Sequence, residues 1–66
     1  MQIVINGKAQ QIDEHSSVQS VLEKMQLQGK RIAVEVNREI IPRAKHAEYQ
    51  LADGDNVEII HAVGGG

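Results

Sequence analysis

The group in this chain best placed to do chemistry is its last one. Val63-Gly64-Gly65-Gly66 ends in a carboxylate, carried on glycines that have no side chain and lose much backbone entropy on ordering. The pattern predicts a flexible tail over 63–66. Extended, that tail reaches about 13–14 Å, at roughly 3.3–3.6 Å per residue. A terminal glycine run taken alone reads equally well as a frayed end. The rest of the chain has to decide between the two.

The other candidate groups are weak. There is no cysteine, which removes disulfides, thiolate metal sites and a thiol nucleophile. His15, His46 and His61 share no metal-ligand spacing; His15 and His46 read as exposed polar residues, and His61 as the base of the tail. Asp53 and Asp55 resemble a fragment of a calcium loop, but its other ligands and closing glutamate are missing, so they read as turn residues. Asp13-Glu14 precedes a helix, where negative charge is mildly favourable, and Ser16 and Ser17 read as caps. No glycine-rich phosphate loop joins a strand to a helix. The expectation is no metal and no bound cofactor, with any ATP bound by another protein.

Charge and hydropathy narrow the partners. The net charge of −2 and a single aromatic residue, Tyr49, argue against nucleic acid. Lys30, Arg31, Arg38, Arg43 and Lys45 gather in the middle of the chain, as a solvated surface or as a docking patch. Nothing approaches the ~18 consecutive apolar residues of a membrane span, and Met1 to Ile5 lacks the charged start of a signal peptide. A soluble cytoplasmic protein with no membrane partner is expected.

The elements that must carry the tail are legible in order. Gln2 to Ile5 and Lys8 to Ile12 flank Asn6-Gly7, a hairpin signal because a type I′ turn needs positive φ at both central residues. Ser16 with Gln19 has the spacing of a capping box. Val18, Val21, Leu22 and Met25 make one apolar stripe, and Gly29 suits a left-handed cap. A helix over about Ser17 to Gln26 follows. Arg31 to Val36 alternates with Ile32, Val34 and Val36 inward. Asn37-Arg38 is a tight connection to Glu39-Ile40-Ile41, and Pro42 places that strand at an edge. Arg43 to Gln50 reads as a loop or one helical turn, Leu51 to Asp55 as a turn about Gly54, and Asn56 to His61 as the last strand.

The resulting order, β-β-α-β-β-β, puts one main helix on a mixed sheet of about five strands. If the first and last strands pair in parallel at the centre, the long connection between them supplies the crossover. That is the α+β, β-grasp or ubiquitin-like, fold: a domain over 1–62 with a tail over 63–66. One helix covers one face of the sheet. Period-two counting then leaves Val4, Ala33 and Ile60 on the other face, a candidate docking surface for an activating enzyme.

The chain resembles the ThiS family of sulfur carriers of thiamine biosynthesis. The resemblance rests on Met1-Gln2-Ile3 with Asn6-Gly7, on Val34-Glu35-Val36-Asn37 followed by Ile40-Ile41-Pro42-Arg43, on Leu51-x-Asp53-Gly54-Asp55-x-Val57-Glu58-Ile59, and on the end His61-Ala62-Val63-Gly64-Gly65-Gly66. It implies a carrier rather than an enzyme. A ThiF-like adenylating enzyme joins the Gly66 carboxylate to AMP, and a sulfur donor fed by a cysteine desulfurase converts the adenylate to a thiocarboxylate. A ThiG-like thiazole synthase then takes the sulfur.

The residue chemistry agrees with that cycle. An ionised carboxylate is a poor electrophile until AMP gives it a leaving group. Val63, Gly64 and Gly65 make a thread thin enough to enter a partner's active site. With no cysteine, sulfur has no side chain to ride on. The rival readings are sulfur delivery to molybdopterin or another thiolated product, a ubiquitin-like modifier forming amides with lysines, and a binding module with an inert tail. Rescue of a thiamine auxotroph, conjugates of higher mass and tolerance of tail trimming separate them.

Overall fold

The computed structural model describes residues 1–61. The boundary expected between a domain over 1–62 and a tail over 63–66 lies outside the described residues.

Strand β1 (Gln2–Ile5) turns into β2 (Lys8–Gln11) through Asn6 and Gly7, at φ 49° and 83°. Helix α1 spans Val18–Lys24. Strands β3 (Ile32–Val36) and β4 (Glu39–Ile41) form a second hairpin, with Asn37 and Arg38 at φ 51° and 71°. Both hairpins therefore use positive φ at both turn residues, which matches the right-handed strand twist. One turn of 3₁₀ helix, Arg43–Lys45, and the loop after it lead to β5 (Asn56–His61).

The sheet order is β2-β1-β5-β3-β4. The last strand is therefore the central one. It runs parallel to β1 with Val4 opposite Asn56, and antiparallel to β3 from Ile32 opposite His61 to Val36 opposite Val57. Edge strand β4 ends at Pro42, as the missing N–H requires.

The inner face is aliphatic. Ile3, Ile5, Val34, Val36, Ile41, Val57 and Ile59 pack against Val18, Val21 and Leu22 of the helix and against Leu51. Each such side chain, fully buried, is worth about 1.5–3 kcal/mol. The alternation read from sequence assigns these faces correctly, but Met25 drops out: it is 40% exposed, beyond the last turn of a helix shorter than expected.

Both helix ends differ from the expectation. The N-cap is Ser17, whose hydroxyl accepts from the Ser20 N–H at 3.0 Å, while Ser16 turns back to donate to the Asp13 carbonyl. Gln19 does not return to the cap; its amide reaches Glu23 one turn on. The physical reason is the loop before β5, which takes the remaining first-turn donors. Val18 N–H donates to Tyr49 O, and Gln19 N–H to His46 O. At the other end the left-handed residue is Gln26, at φ 60°, not Gly29. Leu27 N–H bonds Leu22 O at 2.8 Å and Gln26 N–H bonds Glu23 O at 3.0 Å, the paired bonds of a Schellman motif. Gly29 serves the next turn, where Lys30 N–H meets Leu27 O.

Candidate functional site

The expected reacting group, the Gly66 carboxylate, and its approach, Val63, Gly64 and Gly65, lie outside the described residues. What the structure gives is β5, the strand that precedes them in the chain. β5 is hydrogen-bonded along both sides, by β1 and by β3. Two turns fix its start. Asp55 accepts from Ala52 N–H at 2.8 Å and from the Asn37 amide at 3.0 Å, while Asn37 accepts from Asn56 N–H. Asp53 accepts from Gln2 N–H at 2.8 Å, tying the turn to β1. The Leu51–Asp55 motif is thus a structural lock between three strands. The two aspartates are turn residues, as read from sequence.

The parallel pairing with β1 ends at Ile5 opposite Val57, yet β5 is held further along. The Asn6 side chain accepts from Ile59 N–H at 2.8 Å and donates to Ile59 O at 3.4 Å. β5 is held this way two residues before His61, the last described position and an exposed one.

The outer face of the sheet sorts the proposed docking residues. Ala33 and Ile60 are direct cross-strand partners, with Ile60 46% exposed. Val4 is on the same face but opposite Asn56, four residues back along β5, or about 13 Å. Ile40, 67% exposed, belongs to this face too, beside Glu35. The period-two count did not extend to Ile40, because a three-residue strand shows little alternation. Between the apolar positions, Glu35 and Glu58 face each other directly.

The basic residues grouped in sequence separate in space. Arg31 and Arg43 line one shallow groove of about 280 Å³ with Ile32, Ala33 and Ile60. Lys30 lies over a second hollow, about 140 Å³, that also includes Arg43 and His46. Arg38 is in the β3–β4 turn and Lys45 pairs with Glu48 at 3.9 Å. His46 overturns its reading as an exposed polar residue. It is 7% exposed, with Nε2 at 2.9 Å from Ile41 O. The 3₁₀ turn packs its ring under the edge strand, a contact with no local sequence signal.

Among the described residues no cluster of His, Cys, Asp and Glu could hold a metal ion, and no helix is long and apolar enough to cross a membrane.

The chain is similar to small proteins of one family. The model of the ThiS family matches residues 3–66. The sulfur carrier protein ThiS of Bacillus subtilis is 40% identical over 63 residues, covering 94% of this chain and 96% of that one. The Escherichia coli sulfur carrier protein ThiS is 30% identical over the whole of both chains. A thiazole synthase of Paramagnetospirillum magneticum is 35% identical over all 66 residues, which span only 20% of its length. The crystal structure of a thiamine biosynthesis protein (ThiS) from Geobacter metallireducens superposes with a TM-score of 0.86 at 32% identity, over 100% of both chains.

Proposed function

The chain belongs to the ThiS family, and on that footing we propose that it carries sulfur for thiamine biosynthesis on the carboxylate of Gly66. The observation that supports this most is the extent of the match. The family model runs through the glycines to residue 66, and the E. coli carrier aligns over its full length.

The cycle follows from carboxylate chemistry. Near neutral pH a terminal carboxylate is ionised and resists attack. A ThiF-like enzyme binds ATP, and an oxygen of Gly66 attacks the α-phosphorus with loss of pyrophosphate. The acyl adenylate then has a good leaving group. The terminal sulfur of a persulfide donor, fed by a cysteine desulfurase, attacks the carbonyl carbon and AMP departs; a thiol then cleaves the acyl disulfide so formed, leaving the thiocarboxylate and a disulfide on the donor. A ThiG-like thiazole synthase accepts that sulfur; the similarity to a thiazole synthase of P. magneticum supports pairing the two activities. The chain itself supplies no catalytic group. Its part is to present a thin reactive end, through Val63, Gly64 and Gly65, from a strand held by both neighbours. Ala33 and Ile60, with Val4 further back, dock the activating enzyme.

Intact-mass measurement after incubation with the adenylating enzyme, ATP and a sulfur source tests the proposal. The expected result is a mass gain equal to one oxygen exchanged for sulfur, localised to Gly66 and lost when Gly66 is deleted. Loading of a folded chain that has an extra residue after Gly66 would sink it.

A further inference from the structure

We propose that Arg31 and Arg43 form a cationic rim where the chain leaves β5, and that this rim receives acidic side chains of the enzyme that takes the tail. The inference rests on the carrier reading above and goes beyond it by fixing the chemistry, and hence the direction, of docking.

The register places the rim. Ile32 is opposite His61 and Ala33 opposite Ile60, so Arg31 stands at the level where the chain passes beyond β5. Arg43 lines the same groove, together with Ile32, Ala33 and Ile60. Its guanidinium is stationed there by a hydrogen bond from Nη2 to Lys30 O at 3.2 Å. Among the described residues no carboxylate lines this groove. Among the described residues the ion pairs are Lys24–Asp13 and Lys45–Glu48, so neither arginine is paired with a described carboxylate. Two guanidinium groups beside apolar side chains fit planar carboxylates, which they bind in bidentate fashion.

The acids of the same face lie elsewhere. Glu35 and Glu58 each sit two residues back from the Ala33–Ile60 pair along their strands, or about 7 Å. The face is therefore ordered: cations at the exit, an apolar row, then acids. A partner that is acidic at the mouth of its channel and basic behind it meets this face in one orientation, the one that points the tail inward. A phosphate is the less suitable occupant. Extended into an active site, the five residues after His61 carry the reacting carboxylate about 16–18 Å from the rim.

The test compares affinity with loading. The full chain and its Arg31→Glu/Arg43→Glu variant are titrated calorimetrically against the cognate adenylating enzyme at low and high salt, and loading is read by intact mass at saturating enzyme. The double variant is expected to bind about tenfold or more weakly and to lose most of the salt dependence. Lys8→Glu/Arg38→Glu, with the same charge change away from the exit, is expected to stay within about twofold of wild type. Should the reversal unfold the chain, Arg31→Gln decides instead, with an expected loss of about threefold. Equal affinity of rim variant and wild type overturns the rim while leaving the carrier reading intact. A wild type that binds but gains no sulfur overturns the carrier reading instead.

Discussion

The carboxamide of Asn6 holds the backbone of Ile59 at both of its ends, accepting from the N–H at 2.8 Å and donating to the carbonyl at 3.4 Å. Asn6 is also the first residue of the β1–β2 turn, at φ 49°. One residue thus turns the first hairpin and extends the β1–β5 pairing beyond the last backbone partners, towards His61. Asn6→Gly keeps the positive φ and removes only the clamp. It is expected to lower stability by about 1–3 kcal/mol, because a partly buried N–H and carbonyl of Ile59 lose their partners. Urea unfolding measures the loss, and amide exchange at Ile59 should speed up more than exchange at Val57.

His46 gives a second test of a contact hidden from sequence. Its ring is buried and its Nε2 meets Ile41 O at 2.9 Å, while its backbone carbonyl accepts from Gln19 N–H at the helix start. His46→Ala empties the space beneath the edge strand and strands the carbonyl. The expected cost is about 2–4 kcal/mol by thermal or urea unfolding. A change under about 0.5 kcal/mol would mean that water replaces the ring without penalty.

Gln26 and Arg38 occupy left-handed backbone, at φ 60° and 71°, without the freedom of glycine. Gln26→Gly at the helix end and Arg38→Gly in the Asn37-Arg38 turn should each stabilise the fold by about 0.5–1 kcal/mol, since each relieves a conformation that side chains disfavour. Gly29→Ala should act in the opposite direction. Its φ is +79° and no atom crowds the added Cβ, so the loss isolates backbone strain. The ranking of the three midpoints checks this.

Glu35 and Glu58 are direct partners on an exposed face. Like charges so placed oppose pairing by a few tenths of a kcal/mol up to about 1 kcal/mol. Glu58→Gln should raise the melting temperature at low salt, and the gain should shrink as added salt screens the pair. Equal gains at both salt levels would assign the effect to strand propensity instead.

The sequence exposed what depends on period and turn chemistry, and missed what depends on distant chain. Alternation set the inward faces of β1, β3 and β5 because the helix covers one side of the sheet. Asn6-Gly7, Asn37-Arg38 and Pro42 marked the turns and the edge because each fixes φ or removes a donor. The N-cap came out displaced because the carbonyls of His46 and Tyr49 claim first-turn N–H groups, and the C-cap because the chain already turns left-handed at Gln26. His46 was misread for a different reason: the 3₁₀ turn folds its ring back onto Ile41, five residues earlier, and no hydrophobic period marks that contact. At the candidate site, period-two counting put Val4, Ala33 and Ile60 on one face. That Ala33 and Ile60 are direct partners and Val4 stands apart needed the strand order and register.

Ile60 is the residue on which the docking proposal can be tested with least damage to the fold. It is 46% exposed, opposite Ala33 and beside the groove edged by Arg31 and Arg43. Ile60→Thr keeps a β-branched side chain and should cost under about 1 kcal/mol of stability. Ile60→Asp adds a carboxylate on the face that already carries Glu35 and Glu58. Both variants should fold, as judged by circular dichroism. The aspartate should weaken binding to the adenylating enzyme by about tenfold or more, because a charge would be desolvated at an apolar contact. The threonine should lose only a few-fold. Val4→Asp, about 13 Å away along the sheet, separates two footprints. A loss matching that of Ile60→Asp extends the contact across the whole face, and an unchanged affinity confines it to the end from which the tail departs.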